Sequence, residues 1–165
     1  MKRLNLLFAG LLLLTIAIPI GAHAQGAGPQ GHGPLGLIGT WKLNLAKSKY
    51  TASPAPKTAI IHYFWWDGDS LKHKIERLNE KGEVAGVAGQ WIAKYDSADH
   101  LAGGEGESKV SLKRLDARTS EMTEGIPGKP LSHFRQVVSP DGKALTITRK
   151  IDGQDGEDVL VHDRQ

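Results

Sequence analysis

The stretch Gly39-Thr40-Trp41-Lys42-Leu43-Asn44-Leu45 decides how this chain is read. Trp41, Leu43 and Leu45 alternate with Lys42 and Asn44, and a period of two places one set on an apolar face and the other in water. That is the pattern of a half-buried β-strand. Ala46 to Lys57 follows as a polar connection with Pro54 and Pro56, after which Thr58 to Trp66 packs Ile60, Ile61, Tyr63, Phe64, Trp65 and Trp66 into a strand that needs cover on both faces. Asp67-Gly68-Asp69 reads as a tight turn, because Gly68 can take the positive φ that a hairpin demands.

Leu71, Ile75 and Leu78 fall at helical spacing among good helix formers, so Leu71 to Leu78 taken alone favours helix. The turns on either side, at Asp67 to Asp69 and Asn79 to Gly82, place it between two plainer strands, and a meander predicts a strand here. Further strands are expected at Val84 to Tyr95, near His100 and Leu101, over Val110, Leu112 and Leu115, and at Arg118 to Thr123. Leu131 to Ser139 and Lys143 to Ile151 flank the turn Pro140-Asp141-Gly142, and Glu157 to Asp163 closes the chain. Short β-forming runs divided by turn residues predict an all-β domain. Their number suits an antiparallel up-and-down β-barrel of about 8–10 strands better than an open sheet with exposed edges.

Upstream of Gly39 the chain changes character. Lys2 and Arg3 precede the apolar run Leu4 to Ile20, which Gly10, Thr15 and Pro19 interrupt and which is shorter than the roughly 20 residues that span a bilayer. Ala22-His23-Ala24 offers small residues where a signal peptidase reads them, so residues 1–24 are expected to be a cleavable signal peptide cut before Gln25. This predicts a periplasmic or secreted protein. No Cys follows the run to carry a lipid, so no stable membrane anchor is expected after cleavage. Residues 25–38, rich in Gly and Pro, read as a flexible lead-in to a domain over 39–165.

Removing 24 residues from 165 leaves 141, enough for one core. With no cysteine, that core holds by packing and hydrogen bonds alone, and thiol chemistry is excluded. The charge of +3 includes Lys2 and Arg3, so the mature chain stands near +1 with its signs interspersed. That argues against a nucleic-acid partner.

The Gly39-Thr40-Trp41 opening resembles the calycin superfamily, whose lipocalins and intracellular fatty-acid-binding proteins begin their first strand with Gly-x-Trp. The ending Val161-His162-Asp163-Arg164 is similar to the closing Val-Tyr-Glu-Arg of the fatty-acid-binding branch. Gly39 to Tyr50 with Pro54 to Lys57, Lys94 to Asp96, Val110 to Arg114 and Asp141 to Lys143 resemble small exported bacterial lipocalin-like proteins of unassigned role. The resemblance implies a barrel either filled by side chains or hollow enough for one small apolar ligand. It also implies that Gly39 and Trp41 close one end, with Arg149 or Arg164 covering the Trp41 ring. The Arg-x-Tyr carboxylate clamp of the fatty-acid-binding proteins is missing, since Leu160 and His162 stand at its positions. Ala46 to Lys57 also lacks room for their helical lid.

If the barrel is hollow, Tyr63, Trp65, Trp91 and Tyr95 are the candidate lining, because ligand pockets favour aromatic walls with polar tips. Alternation leaves open whether Tyr63 and Trp65 or Phe64 and Trp66 face inward. The alternative is a filled structural or protein-interaction barrel. No cofactor and no catalytic residue is expected: there is no Gly-x-Ser-x-Gly elbow, and His62, His73, His100, His133 and His162 fall on separate elements and read as strand-face residues. Two of them gathered with a carboxylate would argue for catalysis. Asp152, Asp155, Glu157 and Asp158 crowd one loop, but their spacing matches neither an EF-hand nor a calcium-binding repeat, so no metal site is expected.

Overall fold

The computed structural model describes residues 35–54, 58–67, 70–102 and 108–165. Its strands are β1 (Gly39–Leu43), β2 (Ala59–Asp67), β3 (Ser70–Leu78), β4 (Val84–Lys94), β5 (His100–Leu101), β6 (Lys109–Arg114), β7 (Thr119–Gly125), β8 (Ser132–Val138), β9 (Ala144–Ile151) and β10 (Asp158–Arg164). All ten form one antiparallel sheet in the order β4-β3-β2-β1-β10-β9-β8-β7-β6-β5. Consecutive strands pair except β4 and β5, and β1 also pairs with β10, with Trp41 opposite Arg164. The sheet therefore curls into a nearly closed up-and-down barrel with a seam between β4 and β5.

The contested segment over 71–78 is the strand β3. Its helical spacing loses to the ladders on both sides, where Ile75 lies opposite Ile61 of β2 and Gly89 of β4. Leu71, His73 and Ile75 face inward at the strand period while Lys72, Lys74 and Glu76 take the outer face. There Glu76 accepts from Lys74 and bonds His62 at 2.9 Å. The turn expected at Asp67 to Asp69 includes residues 68 and 69, which lie outside the described residues.

Alternation holds in β1 for Trp41 and Leu43, but Leu45 is exposed. The strand stops at Leu43 because Asn44 caps a single 3-10 turn, its Oδ1 accepting from Lys47 N–H at 3.1 Å, and this swings Leu45 out of the ladder. Leu115 is likewise exposed, beyond the end of β6. At the other boundary, residues 35–38 belong to the barrel rather than to a flexible lead-in. Leu35–Leu37 form a 3-10 turn, and Leu37 is only 1% exposed.

One barrel end is sealed by a compact assembly. Trp41 is 0% exposed, and its indole N–H donates to Leu37 O at 2.9 Å. The Arg164 guanidinium lies 4.2 Å from the centre of the Trp41 ring. It also donates to the carbonyls of Ile38 (2.9 Å), Gly36 (2.5 Å) and Gly142 (2.6 Å). Gly39 is required by this approach, since a Cβ there would stand 2.5 Å from Arg164 Nη1 and the backbone has φ +143°. Gly142, at φ +70°, makes the β8–β9 turn that presents its carbonyl to Arg164.

Candidate functional site

Strand alternation turns one row of each strand inward, and these rows enclose a cavity of ≈280 Å³. Its wall is largely apolar, with Ile61, Ile75, Trp91, Met122, Phe134 and Leu160 among its lining residues. Gly89 and Gln90 of β4 meet it on one side of the seam, and Ala102 and Ser108 on the other.

Set into that wall are polar groups from several strands. The His73 ring lies between Tyr63, at 4.9 Å, and Trp91, against which it stacks at 4.6 Å. Burial, with smaller contributions from His162 and His62, pushes the His73 imidazole down to about 3. Burial likewise lowers His162 to about 4, against the opposing pull of backbone hydrogen bonds and Asp163. Both rings are therefore neutral at ordinary pH, and in each the buried Nδ1 has no hydrogen-bond partner. Ser120 Oγ donates to Gln136 Oε1 at 2.9 Å, and Gln136 Nε2 donates to Tyr63 Oη at 2.8 Å. The phenolic O–H of Tyr63 thus keeps its own proton to give, and burial holds that proton on well above the usual phenol range.

Arg149 and Glu124 bring charge to the same wall. Arg149 Nη2 is spent on Asp158 Oδ2 at 2.5 Å and on Ser53 Oγ. Asp158 is 0% exposed and also accepts from the N–H groups of Thr51 (2.8 Å) and Ala52 (2.9 Å) and from Ser53 Oγ (2.6 Å). Burial acts against its charge, yet Ser53, Arg149 and the two backbone donors together hold the carboxyl far below the usual range. Glu124 is raised by burial, and Arg149 only partly offsets this.

Tyr63 and Trp91 line the cavity, and alternation puts Tyr63 and Trp65 rather than Phe64 on the inner face of β2. Trp65 and Tyr95 do not reach the cavity. Beyond the Tyr63–His73–Trp91 row, Trp65 lies one inward step further along β2 and Tyr95 two steps further, just past the end of β4, where Leu71 and Ala93 fill the interior. Gly39, Trp41 and Arg164 meet at the sealed end, but Arg149 is not part of that closure. It pairs with Asp158, six residues before Arg164 on β10 and so roughly 20 Å away along the strand.

His73, Gln136, Glu124 and His162 were not among the expected lining, yet each carries a legible signal. Every one occupies the inward parity of its strand, two residues from an apolar core position such as Leu71, Val138, Met122 or Leu160. Asp158 hid within the acidic loop, whose other members stay exposed, with Asp152 on His133 at 3.1 Å. No group of three or more metal-ligating side chains occurs among the described residues. The cavity does gather two histidines with the Glu124 carboxylate, but no hydrogen bond joins either imidazole to Glu124 among the described residues. The His73 ring is packed between the aromatic rings of Tyr63 and Trp91.

No protein-family model and no curated protein matches the chain. Solved structures do match. A fatty-acid-binding protein of Schistosoma mansoni in complex with arachidonic acid aligns at TM-score 0.54 and 14% identity, over 81% of this chain and 98% of that one. The fluorescent protein UnaG aligns at TM-score 0.53 and 18% identity, over 78% and 97%. Apo Caenorhabditis elegans lipid binding protein 8 aligns at TM-score 0.54 and 11% identity, over 79% and 96%. These neighbours have the calycin, lipocalin-like fold, and the ten-stranded barrel described above is of that fold.

Proposed function

We propose that this barrel binds one small, largely apolar ligand in its interior and does so outside the cytoplasm. The observation that carries the reading is the preformed cavity with its apolar wall and a few convergent polar groups, the ordinary make-up of a ligand site. A fully packed barrel would leave no such space. A cavity of about 150 Å³ takes up benzene, so ≈280 Å³ suits a ligand about twice that size. The structural neighbours named for fatty-acid and lipid binding support a carrier role on the same scaffold. The expected signal peptide over residues 1–24 supports export.

The test is uptake from a broad lipid and pigment extract, read by native mass spectrometry and by quenching of Trp fluorescence through Trp91. A Cβ at Gly89 would meet no atom within 4 Å, and that position faces the cavity, so Gly89→Phe fills it. The expected result is a single bound mass on the unaltered protein and none on the folded Gly89→Phe variant. Absence of uptake by both would remove the carrier reading. Export is tested by N-terminal sequencing of the protein recovered outside the cytoplasm, expected to begin at Gln25.

A further inference from the structure

We propose that the cavity selects an uncharged ligand bearing a hydroxyl or amide group and rejects carboxylates, fatty acids included. This rests on the binding reading above and names the class of ligand. The cavity wall has one cation among the described residues, Arg149, and its charge is already answered: its Nη2 bonds Asp158 at 2.5 Å and also Ser53, although its Nε has no partner. Asp158 is in turn fixed by four donors and cannot make way for a ligand's carboxylate. A second carboxylate, Glu124, stands on the same wall and repels an incoming anion. A ligand carboxylate would therefore be buried without a free counter-charge, which is strongly unfavourable.

The imidazole and phenol groups on the wall are neutral. His73 of β3 and His162 of β10 are 5% and 2% exposed, both line the cavity, and each leaves a buried Nδ1 without a partner. Such atoms are rarely left unsatisfied in a folded interior, so they point to a ligand that satisfies them. A neutral imidazole nitrogen accepts or donates according to tautomer, and a hydroxyl or amide can answer either. The Tyr63 O–H, fed by Gln136 from behind, adds a further donor that a ligand oxygen can use. Uncharged partners on both sides avoid the cost of burying an ion and keep the benefit of the hydrogen bond.

Four probes of one size separate the possibilities by isothermal titration calorimetry at pH 7.5: naphthalene, 2-naphthylmethanol, 2-naphthoate and 2-naphthylmethylammonium. The expected order places 2-naphthylmethanol at least tenfold tighter than 2-naphthoate and clearly tighter than naphthalene. In the His73→Phe, His162→Phe double variant the alcohol should fall to the affinity of naphthalene, while naphthalene itself is unchanged. Equal or tighter binding of the naphthoate or the ammonium overturns the proposal, as does a double variant that keeps the preference for the alcohol. Should that variant not fold, the ranking of the four probes on the unaltered protein decides. Binding of naphthalene with no gain for the alcohol overturns the polar selection but leaves the carrier reading standing. Binding of none overturns both.

Discussion

Trp41 shows at the residue scale how one side chain can be legible in the sequence while its partners are not. Alternation alone assigned it to the inner face of β1, and it is wholly buried there, with its N–H on Leu37 O and Arg164 over its ring. Truncating so large a buried aromatic removes its transfer free energy and leaves a cavity, so Trp41→Ala is expected to destabilise by about 3–5 kcal/mol in urea titration. An unchanged midpoint would remove its structural role. The choice between Arg149 and Arg164 as its cover was not open to sequence reasoning, because both lie on strands near Trp41 in the sheet. Register decides it: Trp41 stands opposite Arg164, whereas Arg149 stands opposite Asp158.

At the scale of elements, the polar connection after β1 becomes a strap along β10. Lys49 bridges to Val159, and Thr51, Ala52 and Ser53 converge on the Asp158 carboxylate together with Arg149. Asp158→Asn removes the charge that answers Arg149 and one acceptor of the strap. Breaking a buried pair from one side costs about 3–5 kcal/mol, and the loss should appear both in the unfolding midpoint and in faster amide exchange over Thr51 to Ser53. Exchange unchanged in those residues would show that the strap is held by something else. β3 makes a complementary point. Its local preference was helical, and pairing with β2 and β4 on both edges overrode it.

For the whole molecule, the pH dependence of folding follows from placing two imidazoles in an apolar interior. His73 and His162 have folded pKa values of about 3 and about 4, against about 6.5 in an unfolded chain. Between about pH 6.5 and 4 the unfolded chain binds more protons, so stability is full above that window and falls as pH drops through it. Each imidazole contributes up to about 1.4 kcal/mol per pH unit. Glu124, raised by burial, works in the opposite sense just above its usual pKa, and Asp158 adds a further loss only below about pH 4. Urea midpoints should therefore decline from pH 7 to 4.5, with a shallower decline in His73→Phe. A flat profile over that range would contradict the buried neutral state of both rings. By itself the sequence determined the strand content and the meander order, because alternation and turn residues act over a few neighbouring positions. Only the tertiary structure decided that the barrel is hollow, that Arg149 is spent on Asp158, and that His73, His162 and Tyr63 share one wall. Those facts depend on how residues far apart in the chain share a closed volume, and no local pattern encodes the space left over.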